Sequence, residues 1–254
     1  MNLMIPRTIH YCWFGDAQKS DLNRRCLDSW RRVLPGYHVK EWNEKNSPLD
    51  SPYCQEAHRK GLWSRLSNNV RLQVLYSEGG IYLDTDVEVL KDFGPLLLDR
   101  CFLGFQQRSE DDDWVNSAVL GAQSAHPFIR SCLELTEALH AETGEFFRSP
   151  SIVTTVLRNM GLRSYGLQEL NGIKIYPAEY FYPYPWFSSF SPECIKEATY
   201  CIHYWEGSWL KQREQNLPPN QRFKKLIFSV RRRMYTAGKR IKWARNEQLH
   251  DDDG

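Results

Sequence analysis

Apolar positions along the chain change their period in blocks, and the blocks alternate between strand and helix. Arg7 to Trp13 (RTIHYCW) reads as a buried first strand, and Phe14-Gly15-Asp16 turns out of it. From Leu22 to Leu34 the period becomes helical: Cys26, Leu27, Trp30, Val33 and Leu34 share one face, and Pro35-Gly36 ends the element. Tyr37 to Trp42 alternates as a second strand, followed by loop from Asn43 to Pro52. Pro52 to Lys60 predicts a short helix stopped by Gly61. Leu62 to Glu78 predicts a longer one, with Leu66, Val70, Leu72, Val74, Leu75 and Tyr76 on a broad apolar face. Gly79-Gly80 stops it, because glycine accepts the positive φ common just past a last helical turn.

Ile81-Tyr82-Leu83 then forms a short apolar strand that runs into Asp84-Thr85-Asp86, and Val87 to Leu90 continues extended. Further strands are expected at Cys101–Phe105, Ala118–Ala122, Ile173–Tyr176 and Thr199–His203, and helices at Pro127–Leu139 and Pro150–Met160. Ser109 to Asp113 (SEDDD) reads as an acidic loop, with Asp111, Asp112 and Asp113 in solvent. The run Tyr180 to Phe187 (YFYPYPWF) excludes a regular helix through its prolines and reads as a surface-bridging loop. Strands alternating with helices give an α/β class with a mostly parallel central sheet flanked by helices.

Two aspartates at i and i+2 after an apolar strand carry the first chemical hint. In a strand, i and i+2 face the same side, and a bend there would let both carboxylates converge. Open α/β sheets bind ligands at the carboxyl ends of their strands. Paired hard oxygen donors suit Mn²⁺ or Mg²⁺, which keep coordination positions for phosphate. A bare Asp-x-Asp is more often a turn, and it is the frame GGIYLDTDVEVL that distinguishes this one.

With that frame the chain resembles the DXD-containing glycosyltransferases that include bacterial capsular-polysaccharide transferases and the yeast initiating mannosyltransferases of the outer chain (family 32-like). It is more distantly similar to the clostridial glucosylating toxins. The resemblance rests on IPRTIHYCWFG at 5–15, CLDSWRRVLPGYHVKEWNE at 26–44, SNNVRLQVLYSEGGIYLDTDVEVL at 67–90 and HYWEGSW at 203–209. It implies a GT-A, Rossmann-like fold and a metal-dependent, retaining transfer from a nucleotide-sugar, a UDP-sugar in preference to a GDP-sugar. The transferred group would be a hexosyl or N-acetylhexosaminyl unit. The acceptor would be a lipid-linked oligosaccharide or polysaccharide in capsule or lipopolysaccharide O-antigen assembly.

Roles follow from the same resemblance. Trp13 would stack on the nucleotide base or fill the strand end, and Tyr82 would pack near ribose or base or within the core. Arg71 would bridge donor phosphate and sugar hydroxyls with its planar fork, or form a structural pair with Asp84 or Glu78. Ser67 and Asn68 open the stretch that ends in Arg71. Asn68 stands where the family usually has Asp, which retains the shape, removes the charge and leaves the donor sugar open. Asp84 would bind ribose and sugar hydroxyls beside Thr85, Asp86 would ligate the metal with Asp84, and His203 would add a metal or phosphate contact. Ser208 and Trp209 would close over the diphosphate, and Asn116 would face donor sugar or acceptor. The catalytic set is thus Asp84, Asp86, Arg71 and Asn68. No residue announces itself as a nucleophile, which favours same-face substitution with the leaving phosphate taking the acceptor proton.

Charge and cysteine usage add a second layer. The net charge is +2, yet residues 222–245 (RFKKLIFSVRRRMYTAGKRIKWAR) hold ten Lys or Arg and no acid. Removing those ten from the 33 basic residues leaves 23 against 31 acidic ones, so the remainder carries about −8. A division into a GT-A domain over 1–212 and a basic amphipathic helical tail over 213–254 follows. Phe223, Leu226, Ile227, Val230, Met234, Ala237 and Ile241 recur at helical spacing within the tail, as in a helix lying on an anionic membrane surface. Nucleic acid is not expected, because the basic stripe lacks a recognition motif. The seven cysteines are odd in number and form no CxxC pair, and the opening MNLMIPRTIH has no apolar leader. These features predict reduced thiols in a cytoplasmic enzyme, peripheral on the inner face of the cytoplasmic membrane. The alternatives are a non-catalytic nucleotide-sugar-binding protein that kept the fold, or a protein-modifying transferase.

Overall fold

The structure is a computed structural model that describes residues 4–206. The strands are β1 (Thr8–Cys12), β2 (His38–Trp42), β3 (Gly80–Leu83), β4 (Val87–Val89), β5 (Cys101–Phe105), β6 (Val115–Ala122), β7 (Gln168–Leu170), β8 (Ile173–Tyr176) and β9 (Cys201–His203). The helices are α1 (Asp21–Val33), α2 (Pro52–Arg59), α3 (Trp63–Glu78), α4 (Pro127–Thr143) and α5 (Ser149–Asn159). Seven strands form one sheet in the order β2-β1-β3-β6-β5-β8-β7. The pairs β1–β2, β1–β3 and β5–β8 are parallel, while β6 and β7 run antiparallel to their neighbours. Five of the seven strands therefore share one direction. β4 and β9 leave this sheet and pair only with each other.

Alternation along the strands divides the apolar side chains between two cores. Ile9, Tyr11, Ile81 and Leu83 point to the face covered by Leu27 and Trp30 of α1. Cys12 and Tyr82 point to the opposite face, against Tyr53, Leu66, Val70, Phe128 and Leu157 of α2 to α5. Helix α1 is fastened at its start by a capping box: Ser20 Oγ accepts from the Asn23 amide, and Asn23 Oδ1 accepts from the Ser20 amide.

Three differences from the sequence reading have local causes. The aromatic–proline run is not a surface loop: Phe181, Tyr182, Tyr184 and Phe187 are buried. Phe181 packs on Gly104, and the Tyr182 hydroxyl accepts from the Val119 amide where the β5–β6 register shifts. β6 begins at Val115, so Asn116 lies inside the sheet. β7 escaped the hydrophobic pattern because Gln168-Glu169-Leu170 is short and polar. Its turn, Asn171-Gly172 with φ of 52° and 79°, is the tight hairpin geometry that this dipeptide favours.

The acidic loop also divides. Asp112 is exposed, whereas Asp113 is buried and pairs with Arg148 at 2.6 Å. Burial raises the Asp113 carboxyl, against the pull of Arg148. The expectation that all three aspartates are solvated is corrected for Asp113.

Two predictions test these packing arguments. Gly80 has φ 109°, and a Cβ there would sit 2.7 Å from the Thr8 carbonyl. Gly80→Ala should therefore lower unfolding stability by about 1–3 kcal/mol in urea titrations. His126 caps α4 by accepting from the Phe128 amide at 3.2 Å, and burial lowers its pKa to about 4. A His whose folded pKa lies below its unfolded value of 6.5 contributes stability above 6.5 and loses it as pH falls towards 4. His126→Asn retains a capping acceptor without that titration, so its urea midpoint should fall less than the wild type's between those pH values.

Candidate functional site

The site forms where β3 ends. The Asp84 amide continues the ladder by donating to the Ala118 carbonyl, and the Val87 amide then donates back to the Asp84 carbonyl at 3.0 Å. That turn carries the chain out of the sheet and into β4, and it supplies the bend that Asp84 and Asp86 need to converge. β9 lies antiparallel to β4 with Val87 opposite His203. His203 Nε2 consequently lies 3.1 Å from Asp86 Oδ1. One ligand atom from each of Asp84, Asp86 and His203 falls within 4.8 Å of the others.

Each aspartate has its own nitrogen partner from a different element. Arg71, on α3, donates from Nη2 to Asp84 Oδ1 at 2.6 Å. Its Nη1 donates to the Ser117 carbonyl and hydroxyl, both at 2.7 Å. Its guanidinium lies over the Tyr82 ring, 4.2 Å from the centroid. Burial disfavours charge on Asp86, but the His203 charge and hydrogen bond, with the Glu206 amide, outweigh it and hold the carboxyl below its usual range. Burial likewise disfavours charged His203, and the Asp86 charge and hydrogen bond overcome it and lift the imidazole above its ordinary value.

These residues fit a divalent cation. Two carboxylate oxygens and an imidazole nitrogen are a suitable donor set for Mn²⁺. His203 Nδ1 is buried with no partner among the described residues, so the protein leaves polar capacity unmet at this point.

Other expected site residues fall into three groups. Trp13 is half-buried at the end of β1, where its indole donates to the Ala17 carbonyl and Lys19 lies over its ring. Asn68 and Thr85 are half-buried, and Asn68 sits one helical turn before Arg71. Ser67 is half-buried and its hydroxyl bonds back to the Trp63 carbonyl. Tyr82 and Asn116 are buried among protein partners. Tyr82 is 2% exposed and lies beneath Arg71. Asn116 donates to Gln106 Oε1 at 2.7 Å and accepts from the Ala118 amide at 2.8 Å, so its amide closes the β5–β6 irregularity. Ser208, Trp209 and the basic tail lie outside the described residues.

The sequence reading missed three neighbours. Ser117 is a buried hydroxyl within an apolar strand, a visible signal of a polar partner. Asn23 is signalled only as a capping residue, and its contact at 3.4 Å with the Thr85 carbonyl is purely tertiary. Glu206 donates its amide to Asp86 Oδ2 at 2.8 Å, and nothing local announces that contact.

Residues 20–103 match the family described as glycosyltransferase sugar-binding region containing DXD motif. The lactosylceramide 4-alpha-galactosyltransferase of Rattus norvegicus is 31% identical over 175 residues, covering 63% of this chain and 46% of that protein. The Homo sapiens protein of the same name is 31% identical over 179 residues, covering 63% and 47%. The chain thus spans about half the length of these curated relatives. Among solved structures, the PaToxG glycosyltransferase aligns with a TM-score of 0.50 at 18% identity, covering 61% of this chain and 69% of that one. The cytoplasmic expectation is overturned by the curated relatives, which are Golgi membrane enzymes. Among the described residues no helix is long and apolar enough to cross a membrane. By its matched segment and its curated relatives this chain is similar to the DXD-containing glycosyltransferases, and its architecture is the GT-A fold.

Proposed function

We propose that the chain is the donor-binding and catalytic part of a retaining glycosyltransferase that moves a hexose, galactose in the first instance, from a UDP-sugar to a glycolipid or lipid-linked glycan. The observation that carries this reading is the convergence of Asp84, Asp86 and His203 at the end of β3, with Arg71 beside them. The relatives' name specifies an alpha-linked galactoside. An α-configured UDP-sugar yields that linkage only when configuration is retained. Lactosylceramide in the same name makes a glycolipid the first acceptor class to test, ahead of capsule or lipopolysaccharide.

In this reading Asp84, Asp86 and His203 would hold Mn²⁺ or Mg²⁺, which would supply charge neutralisation for a diphosphate leaving group. Arg71, kept in place by Ser117 and the Tyr82 ring, holds Asp84 and adds fixed positive charge beside the donor. Trp13, at the mouth of β1, offers a face to the base, with Ser67 and Asn68 on the side of the sugar. Much of the rate then comes from orientation and from fixed charge around the leaving group. By sequence alone, the cationic run 222–245 suits an anionic lipid surface near a lipid-borne acceptor.

UDP release from UDP-galactose, UDP-glucose and UDP-N-acetylglucosamine, with GDP-mannose as contrast, should be measured with Mn²⁺ and then with chelator, in the presence of lactosylceramide. Turnover of one UDP-sugar is expected to depend on metal and to fall by about 100-fold or more in Asp86→Ala. Turnover indifferent to both chelator and Asp86→Ala would remove the metal-site reading. No turnover of any donor, together with no metal-dependent nucleotide binding, would favour the non-catalytic reading.

A further inference from the structure

Asp86 is gripped by a segment whose own anchor lies on α1, far from it in the chain. After β9 the backbone passes through Trp205 with φ 56°, a left-handed conformation that an aromatic residue adopts only when held there. The Trp205 indole donates to the Tyr184 carbonyl at 3.1 Å, and its ring lies against His203 with centroids 4.2 Å apart. This turn aims the Glu206 amide at Asp86 Oδ2. The Glu206 carboxylate is received at the start of α1, where Asn23 Nδ2 donates to it at 3.0 Å and Ser20 Oγ lies 3.3 Å away.

Asn23 is 2% exposed, and its two polar ends have separate tasks. Oδ1 completes the helix cap with Ser20, a task that an aspartate would perform equally well. Nδ2 contributes nothing to the cap. It faces Glu206 and, at 3.4 Å, the carbonyl of Thr85 between the two aspartates. The amide therefore ties the Asp84–Asp86 turn to the segment that fixes the second oxygen of Asp86. His203 holds the first oxygen, so the carboxylate is constrained from both sides.

We propose that Asn23 and Glu206 are positioning residues, a clasp that holds Asp86 and His203 in the geometry a divalent cation requires. The proposal rests on the metal reading of Asp84, Asp86 and His203. Partners that orient ligands from behind typically alter metal affinity by about 10–100-fold when removed.

The test is Mn²⁺ binding to the full chain, followed by the paramagnetic resonance signal of free Mn²⁺. It compares wild type, N23D, E206Q and N23D/E206Q, with urea unfolding as a control for the cap. N23D retains the cap acceptor but sets a carboxylate against Glu206, and its Mn²⁺ Kd should rise about tenfold despite the added negative charge. E206Q keeps an oxygen for Asn23 to donate to, and its Kd should stay within about threefold of wild type. The double variant has the net charge of wild type and lets the Gln amide at 206 donate to the new carboxylate at 23. Its Kd should return to within about threefold of wild type. N23D binding Mn²⁺ as tightly as wild type, or a double variant as weak as N23D, would overturn the clasp while leaving the metal site standing. Wild type that binds no Mn²⁺ would overturn the metal reading and the clasp with it.

Discussion

The antiparallel pairing of Val87 with His203 fixes where the imidazole lies, and the geometry around Asp86 follows from it. β4 and β9 have three residues each, and a ribbon that short is marginal in water by itself. It persists here because Val87, Val89, Cys201 and Ile202 are buried and α1 is bonded along it. Trp30 donates to the Val87 carbonyl at 2.7 Å, and the Val89 amide donates to Ser29 Oγ at 2.9 Å. A slip of one residue would turn His203 to the opposite face of the ribbon. The first helix therefore governs a register on which chemistry at the far end of the sequence depends.

The second constraint is electrostatic. Arg71 is almost wholly buried, and a guanidinium out of water persists only with a charge partner and hydrogen bonds on several sides. Asp84, Ser117 and the Tyr82 face provide them, while Asp84 keeps 29% of its side chain exposed. One side of that carboxylate is committed to the fold and the other is open to solvent. Asp86, paired with His203 and the Glu206 amide, is held more tightly still. The two aspartates are thus similar in sequence and different in surroundings, which accords with one serving sugar and metal and the other serving metal.

Much of this was legible in the sequence because its signals are local. Strand–acid–turn at Ile81 to Asp86, the apolar face of α3 with Arg71 embedded in it, and the histidine opening HYWEGSW are each contained in a few residues. The features that were not legible depend on partners remote in sequence. Asn116 looks like a free amide until the β5–β6 register shift places Gln106 and the Ala118 amide against it. The run from Tyr180 to Phe187 looks exposed because its prolines forbid regular structure, yet irregular backbone can still deliver rings to a core when a strand opposite has glycine, as Gly104 does for Phe181. Asn23 shows its capping role in the spacing from Ser20, whereas its second role needs Glu206, which arrives only after the whole sheet has formed. Cellular location is a different matter: cysteine count is a property of composition, and the relatives contradicted the inference drawn from it.

The most direct measurement of the central claim is anomalous scattering at the manganese edge from crystals grown with Mn²⁺ and UDP. The account predicts one peak in contact with Asp86 and His203 and beside Asp84, with the diphosphate on its open side. A peak elsewhere, or none while Asp86 and His203 remain paired as they are here, would contradict it.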